Sequence, residues 1–486
     1  MKQVFNPYLP LDEYIPDGEP HVFGDRVYVY GSHDKENGKH FCMLDYVTYS
    51  APVDNLKEWR YEGVIYKASY DPLYPEYKYM FAPDVVRGND GRYYLYYSLA
   101  NDYPNCSYIM SVAVCDTPSG NFEFLGHVKY KDGTLLQDGV IFDPGLLNDN
   151  GVIRLYYGMW WNFERDFDEA ECLERQINTF KKTKEEILSS PDGVMGPFVV
   201  ELESDMVTVK TPPKRIFPRD FRGTSFEGHE FFEASSMRKI NDKYYFIYST
   251  FQGHELAYAT SDYPDRDFEF GGVIVSNGDI GYKGRKYNDM VMRIGNNHGS
   301  IECINGKWYI FYHRHTTKTE LSRQGCAEEI QILENGFIPQ VEITSCGLNA
   351  GPLLAQGTYP SIICCHLSNG NLTYGCCVDK RLPHIICENG ERFIKEIEND
   401  TVIGYKYFDF KGNNKIGIKY RSSDIPPLGK LLVMTEENGT PLCFLEVTDS
   451  TNWATKATNL ELYGKHSLYF KYEGAGSIDI LEISFN

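Results

Sequence analysis

The stretch HEFFEASSMRKINDKYYFIYS, His229 to Ser249, decides how this chain is read. Its second half is a polar two-residue turn followed by KYYFIYS, which has the aromatic density of a buried β-strand. Its first half carries a lone carboxylate, Glu233, between a pair of phenylalanines and Ala-Ser-Ser. Burying a carboxylate without a partner is costly. Glu233 is therefore either paired across the fold or kept uncomfortable for a purpose.

The same turn-and-strand phrase recurs along the chain. It reads GDRVYVYGS from Gly24, DGRYYLYYS from Asp90, NGVIRLYYG from Asn150, NDKYYFIYS from Asn241 and NGKWYIFYH from Asn305. Each turn is rich in Gly, Asn or Asp, the chemistry of a tight hairpin. A second phrase trails some copies: SAPVDNLKEWRYEG at Ser50, CDTPSGNFEFLG at Cys115 and SDYPDRDFEFGG at Ser261. Its prolines suit edge strands. Five repeats of four short strands predict an all-β fold, a five-bladed β-propeller over residues 1–340. One interval between phrases is longer than the others. It contains FERDFDEAECLERQINTFKKTKEEILSS, 163–190, which is expected to be a helical insertion in a blade-to-blade connection.

Composition narrows the partners. The 486 residues carry a net charge of -20, which argues against nucleic acid and anionic membranes, since both require a basic footprint. There is no apolar leader at the N-terminus and no run of about 18 apolar residues. The 13 cysteines include the doublets Cys364-Cys365 and Cys376-Cys377 but no CxxC pair, which argues against zinc and for free thiols in a reducing cytoplasm. No organic cofactor is expected.

Upstream of each phrase stands one polar residue in a strand-like setting: Asp17, Asp84, Asp143, Glu233 and His298. In a propeller the first strand of each blade lines the central channel, so five equivalent positions aim at one small volume. Single acids at strand ends are usually turn or capping residues. Five in register point to a site. Four carboxylates and a histidine allow cation binding, since calcium favours oxygen ligands. They also allow glycoside hydrolysis, which needs a protonated acid and an ionised carboxylate flanking one bond. The apolar flanks of Glu233 raise its pKa, whereas Asp17, beside Gly18 and Glu19 at a polar mouth, stays ionised. A non-catalytic, calcium-dependent sugar-binding propeller is the alternative of another class. The FFEAS context tilts against it.

These phrases resemble glycoside hydrolase family 43, five-bladed propellers that cleave arabinosides and xylosides with inversion. The resemblance covers roughly residues 5 to 340. It rests on NPYLP with DGEPHVFGDRVYVYGSHD, on FAPDVV with GRYYLYYS, on FDPGLLNDNG, on FFEASSMRKINDKYYFIYS and on NNHGSIECINGKWYIFYHR. It implies Asp17 as general base, Glu233 as general acid, and Asp143 as the residue that orients the acid and tunes its pKa. Asp12, Glu13 and Glu19 stand close enough in sequence to rival Asp17. Asp84 and Phe81, in a phrase where the family commonly has Trp, and Arg323 in LSRQG are implied substrate-binding residues. His298 resembles an axial histidine beside a calcium ion or a water. The implied activity is exo-acting removal of arabinofuranosyl or xylosyl residues from plant-derived oligosaccharides. An α-L-arabinofuranosidase is favoured over a β-xylosidase or β-galactofuranosidase.

Beyond residue 340 the phrase stops. Short strands such as VIGYKYFDF, KIGIKYRSS and GKHSLYFKYEG, separated by Gly/Asn turns, predict a β-sandwich over 341–486. The ending GKHSLYFKYEGAGSIDILEISFN is similar to family-6-type carbohydrate-binding modules. Trp453 in TNWAT is the candidate sugar platform, against a sandwich that only packs on the propeller.

Overall fold

Each copy of the repeated phrase forms the second strand of a blade, in a computed structural model that describes residues 2–102, 107–160, 169–190, 193–412 and 414–486. The first blade is typical. Glu19–Phe23, Arg26–Tyr30, Tyr46–Pro52 and Arg60–Tyr66 pair antiparallel in chain order, with Phe23 opposite Arg26 across the Gly24-Asp25 turn. The third blade (Gly145–Asp149, Val152–Met159, Gly196–Glu201, Lys214–Arg215) and the fourth (Phe231–Ile240, Lys243–Thr250, Glu255–Ser261, Glu269–Ser276) repeat this order. The second blade adds a short strand, Tyr79–Met80, beside its Tyr93–Ala100 strand.

The fifth blade has three strands, Ile301–Ile304, Lys307–His315 and Arg323–Ile330. Its outer edge is covered by the N-terminal segment. Tyr8 N–H donates to Gly325 O, and the Asn6 side chain bonds the Ala327 backbone at both N–H and C=O. An uncovered edge would leave a row of unpaired backbone groups, so this contact closes the ring.

The aromatic density of the phrase has a structural cause. Tyr30, Tyr96 and Tyr156 occupy the same place in the first three blades and are fully buried. Each sends its hydroxyl to a backbone carbonyl in or near the following blade: Tyr30 to Pro118, Tyr96 to Met206 and Tyr156 to Pro264. A ring fills the gap between two sheets while its hydroxyl stays bonded, and losing such a partner in the interior costs about 1–3 kcal/mol.

The expected helical insertion is corrected in place. Two helices, α1 (Glu169–Phe180) and α2 (Lys184–Ser189), lie between the second and third strands of the third blade rather than between blades. Thr183 caps α2 through a reciprocal bond pair with Glu186. Positions 163–168 lie outside the described residues.

The C-terminal part is a sandwich of two sheets. One runs Leu353–Leu354, Val402–Lys411, Tyr463–Ala475, Leu428–Met434, Cys443–Val447; the other runs His384–Glu388, Glu391–Ile397, Ile478–Phe485, Asn414–Ser422, Ala454–Leu460. Its core merges with that of the fourth and fifth blades. Ile247, Ile274 and Ile310 belong to the same buried cluster as Ile363, Phe408, Tyr472 and Phe485. Buried Arg314 ties the parts together, donating to the carbonyls of Ile362 and Cys364 at 2.7 and 2.8 Å.

Candidate active site

Strand register sorts the five axial residues into two levels. Glu19 pairs with Tyr30, Asp84 with Tyr96, Gly145 with Tyr156 and Ser236 with Ile247, while the Phe311 N–H reaches Ser300 O. These five share one level of the channel. Two residues earlier on the inner strands stand Asp17, Asp143 and His298, one pleat nearer the open end. Asp84 is therefore one step too deep. The cause is its hairpin: Gly88 N–H bonds Arg92 O, leaving three residues in the turn where the other blades have two, so Ala82 takes the pocket level in the second blade.

Glu233 reaches the upper level through a bulge. It pairs with Ser249, whereas Ser236 pairs with Ile247, so one extra residue is inserted on the inner strand. Ala234 absorbs it with φ 68°, and its N–H is turned to Asp143 Oδ2 at 3.1 Å. Asp17 (φ 57°) and Asp143 (φ 47°) also adopt left-handed backbone. Such positions cluster where a side chain must be aimed against local preference.

Asp17, Asp143, Glu233, His298, Arg323 and Phe81 all line one cavity of about 550 Å³. Asp84 does not. It is buried behind this cavity, where it accepts from His21 Nε2 and from the N–H groups of Val85 and Leu146, each at 2.6 Å. Of the acids near Asp17 in sequence, Glu13 faces His33 at 3.7 Å and Glu19 sits at the deeper level; neither of them, nor Asp12, lines the cavity.

Charge divides the three acids. Asp17 is buried, not at a polar mouth, and burial alone would raise its pKa. The guanidinium of Arg323, 2.9 Å from Oδ1, outweighs that burial and, with His313 and His298, holds Asp17 well below the usual carboxylate range. Arg323 is fixed in turn by Asp34, to which it donates from Nε (2.8 Å), Nη2 (3.1 Å) and its backbone N–H (3.1 Å). Glu233 goes the other way. Burial first, then the neighbouring charges of Asp143 and Asp17, push it up to about 8. Burial also raises Asp143, opposed by His298, whose Nδ1 lies 3.4 Å from Oδ2. Burial disfavours the His298 imidazolium, but Asp143, Asp17 and Glu19 outweigh it and lift that histidine to about 9.

Sequence reasoning missed Asp34, His313 and Tyr374. His313 was legible: the five phrases end in Ser32, Ser98, Gly158, Ser249 and His313, four small residues and one imidazole. Its Nε2 lies 2.8 Å from Asn296 O and its Nδ1 lies 3.2 Å from Asp17 Oδ1, which ties the carboxylate to the fifth blade. Asp34 sits in a loop with no periodic signal. Tyr374 comes from the sandwich, yet lines the same cavity.

One wall of the cavity is aromatic. Phe142 packs on Tyr108 and Phe81 at 4.7 and 5.2 Å between ring centroids, and Phe180 of α1 backs the same cluster. Trp453, the expected sugar platform, is occupied otherwise. Its ring meets Arg421 at 4.7 Å and Phe393 at 5.3 Å, and its Nε1 donates to Glu391 at 2.8 Å.

Below the acids, His298 Nε2 and Glu19 Oε1 are buried without a hydrogen-bond partner among the described residues. Glu19, His21 and Asp84 each offer a ligand atom there, all within 4.8 Å of one another. The carboxylate oxygens of this set are the kind a hard cation such as calcium takes, and binding would require the His21 and His298 nitrogens to give up their protons.

Comparison with known proteins shows the family. Residues 25–338 match the family model described as glycosyl hydrolases family 43. A xylosidase/arabinosidase of Thermoclostridium stercorarium is 46% identical over 99% of this chain and 98% of its own length. The solved structure of CoXyl43, a β-xylosidase/α-arabinofuranosidase from a compost microbial metagenome, in complex with xylotriose and in a calcium-free form, is 28% identical, with a TM-score of 0.50. It covers 68% of this chain and 94% of its own. An arabinoxylan arabinofuranohydrolase from Bacillus subtilis, 18% identical with a TM-score of 0.51, matches the fold over 99% of this chain and 97% of its own. The chain, whose carboxylates from three blades converge on one aromatic-walled cavity, belongs to glycosyl hydrolase family 43.

Proposed function

We propose that this glycoside hydrolase removes terminal arabinofuranosyl or xylosyl residues from plant-derived oligosaccharides with inversion, using Asp17 as base and Glu233 as acid. The observation that carries this reading is the opposite displacement of two acids in one cavity: Asp17 held ionised, Glu233 held protonated at neutral pH. Glu233 gives its proton to the leaving oxygen as the bond to the anomeric carbon breaks. Asp17 takes a proton from the water that forms the new bond on the opposite face. Asp143 keeps Glu233 protonated by like charge and, through the Ala234 N–H, fixes the bulge that aims it. Arg323 keeps Asp17 anionic.

The exo reading is supported by the aromatic wall on one side of the cavity, which α1 backs. The arabinofuranosyl and xylosyl pair is supported by the names of the relatives; within it we favour the α-L-arabinofuranoside. The division of the chain at 340/341 is part of the same proposal. The direct test is proton NMR of the first product formed from a nitrophenyl α-L-arabinofuranoside and a β-xyloside. Inversion gives β-arabinose and α-xylose first; initial release of the substrate's own anomer would refute it.

Calcium belongs to the proposal as well. Glu19, and His298 once the ion displaces its proton, are the residues with unpartnered buried atoms that would hold it. It would supply fixed positive charge beneath the acids. Chelation should then lower both activity and melting temperature, and added Ca²⁺ should restore both. Unchanged values after rigorous metal removal would eliminate the ion.

A further inference from the structure

We propose that Tyr374, carried by the C-terminal sandwich, forms together with Glu320 the subsite for the leaving sugar, so that the active site is incomplete without that sandwich. The inference rests on the assignment of Glu233 as the acid and asks what binds on the far side of the scissile bond.

Tyr374 lies in the connection between strands His366–Ser368 and His384–Glu388, and among the described residues it is the one lining the cavity that the propeller does not supply. The connection is pinned to the propeller at several points. Tyr374 bridges to Ile294, Gly375 N–H donates to Ile294 O at 2.9 Å, and Cys377 N–H donates to Lys318 O at 2.9 Å. Buried Arg293 donates to Cys377 Sγ at 2.9 Å. The tyrosine ring lies against Gly253, where a Cβ would fall 2.6 Å from a ring carbon. The connection is thus pinned by propeller residues and the ring rests on Gly253 of the fourth blade, while 44% of the residue remains exposed.

Position supplies the chemistry. The inner end of the cavity holds Asp17, Asp143, His298 and Arg323, where the sugar being released must place its anomeric carbon. The proton donor must touch the glycosidic oxygen, so the leaving sugar extends outward past Glu233. Tyr374, Glu320 and Glu233 line the same cavity, and a Cβ on Gly375, next in sequence to Tyr374, would fall 3.0 Å from Glu320 Oε2, so that carboxylate stands beside this connection. A half-exposed aromatic ring beside a carboxylate is the pair that a pyranose takes: its apolar face on the ring, its hydroxyls on the acid. The ligand is therefore a pyranosyl leaving group, such as the backbone xylose of an arabinosylated or linear xylo-oligosaccharide.

The test compares xylobiose and an arabinofuranosyl-xylose disaccharide with the methyl glycoside of the same terminal sugar. Both leaving groups are poor alkoxides, but only the disaccharides place a ring on Tyr374. Tyr374→Ala should lower kcat/KM on the disaccharides about tenfold relative to the methyl glycosides, chiefly through KM, and Tyr374→Phe should restore most of the loss. Melting temperatures of both variants identify any folding defect. Equal losses on both substrate types, no loss on either, or a Phe variant as poor as the Ala variant would overturn the inference. If the unaltered enzyme hydrolyses none of these compounds, the substrate reading falls first and the subsite with it.

Discussion

Two buried carboxylates in one cavity, Asp17 and Glu233, differ because of what faces them. Asp17 has a guanidinium at 2.9 Å; Glu233 has burial and other acids. The difference has a thermodynamic consequence. Glu233 titrates at about 8 in the folded chain, well above an ordinary glutamate at about 4.3. The unfolded chain gives up this proton first, so the contribution of Glu233 to stability is fully present below about pH 4 and is lost as pH rises through the folded value. Glu233→Gln removes that loss. The melting temperature of the variant should exceed that of the unaltered protein at pH 8 to 9, and the gap should close toward pH 5. A constant gap across this range would mean that Glu233 is not held protonated. The opposite states of these two acids were legible in the sequence, because Phe231, Phe232 and Ala234 flank Glu233. The reason Asp17 stays ionised was not. It comes from Arg323, which lies 306 positions away in sequence, meets Asp17 only through ring closure and is held there by Asp34.

Aim is set by strand elements rather than by single residues. The bulge that inserts Ala234 moves Glu233 to the level of Asp17 and Asp143, and the left-handed backbone there is one that Ala tolerates at a cost and a β-branched residue does not. Ala234→Gly should keep activity and stability near those of the unaltered enzyme, since relief of backbone strain offsets the added freedom of the unfolded chain. Ala234→Val should lower kcat strongly and the melting temperature by several degrees, because the buried site has no room for the added methyls. Equal kinetics for the two variants would separate the bulge from catalysis. Counting back from the turn that opens each phrase gives seven residues to Asp17, Asp143 and His298, six to Asp84 and eight to Glu233. The eight reflects the bulge; the six is the deeper level, five residues back in the other blades, plus the extra hairpin residue of the second blade. Both irregularities were present in the letters, but their meaning depends on pairing, which the letters do not display.

At the scale of the whole molecule, the sandwich and propeller share one apolar core, so neither part buries its own surface alone. A chain ending at residue 340 should fail to yield folded, active enzyme, and the full chain should lose activity and secondary structure in one denaturant transition. Two separated transitions would show that the parts fold independently. The propeller was legible because its repeat is local and written five times. The role of the sandwich was not, since Tyr374 reaches the cavity through contacts that no motif announces. The central claim is that the first and fourth blades bring a base and an acid to one glycosidic bond. It is tested most directly by kcat/KM for Glu233→Gln and Asp17→Asn over a series of leaving groups. Loss of Glu233 should cost about two to four orders of magnitude on oligosaccharides and little on glycosides of acidic phenols, which leave without a proton. Loss of Asp17 should be severe and nearly independent of the leaving group, since every substrate needs the activated water. A Glu233→Gln defect that ignores the leaving group, with an Asp17→Asn defect that follows it, would reverse the two roles and contradict the account.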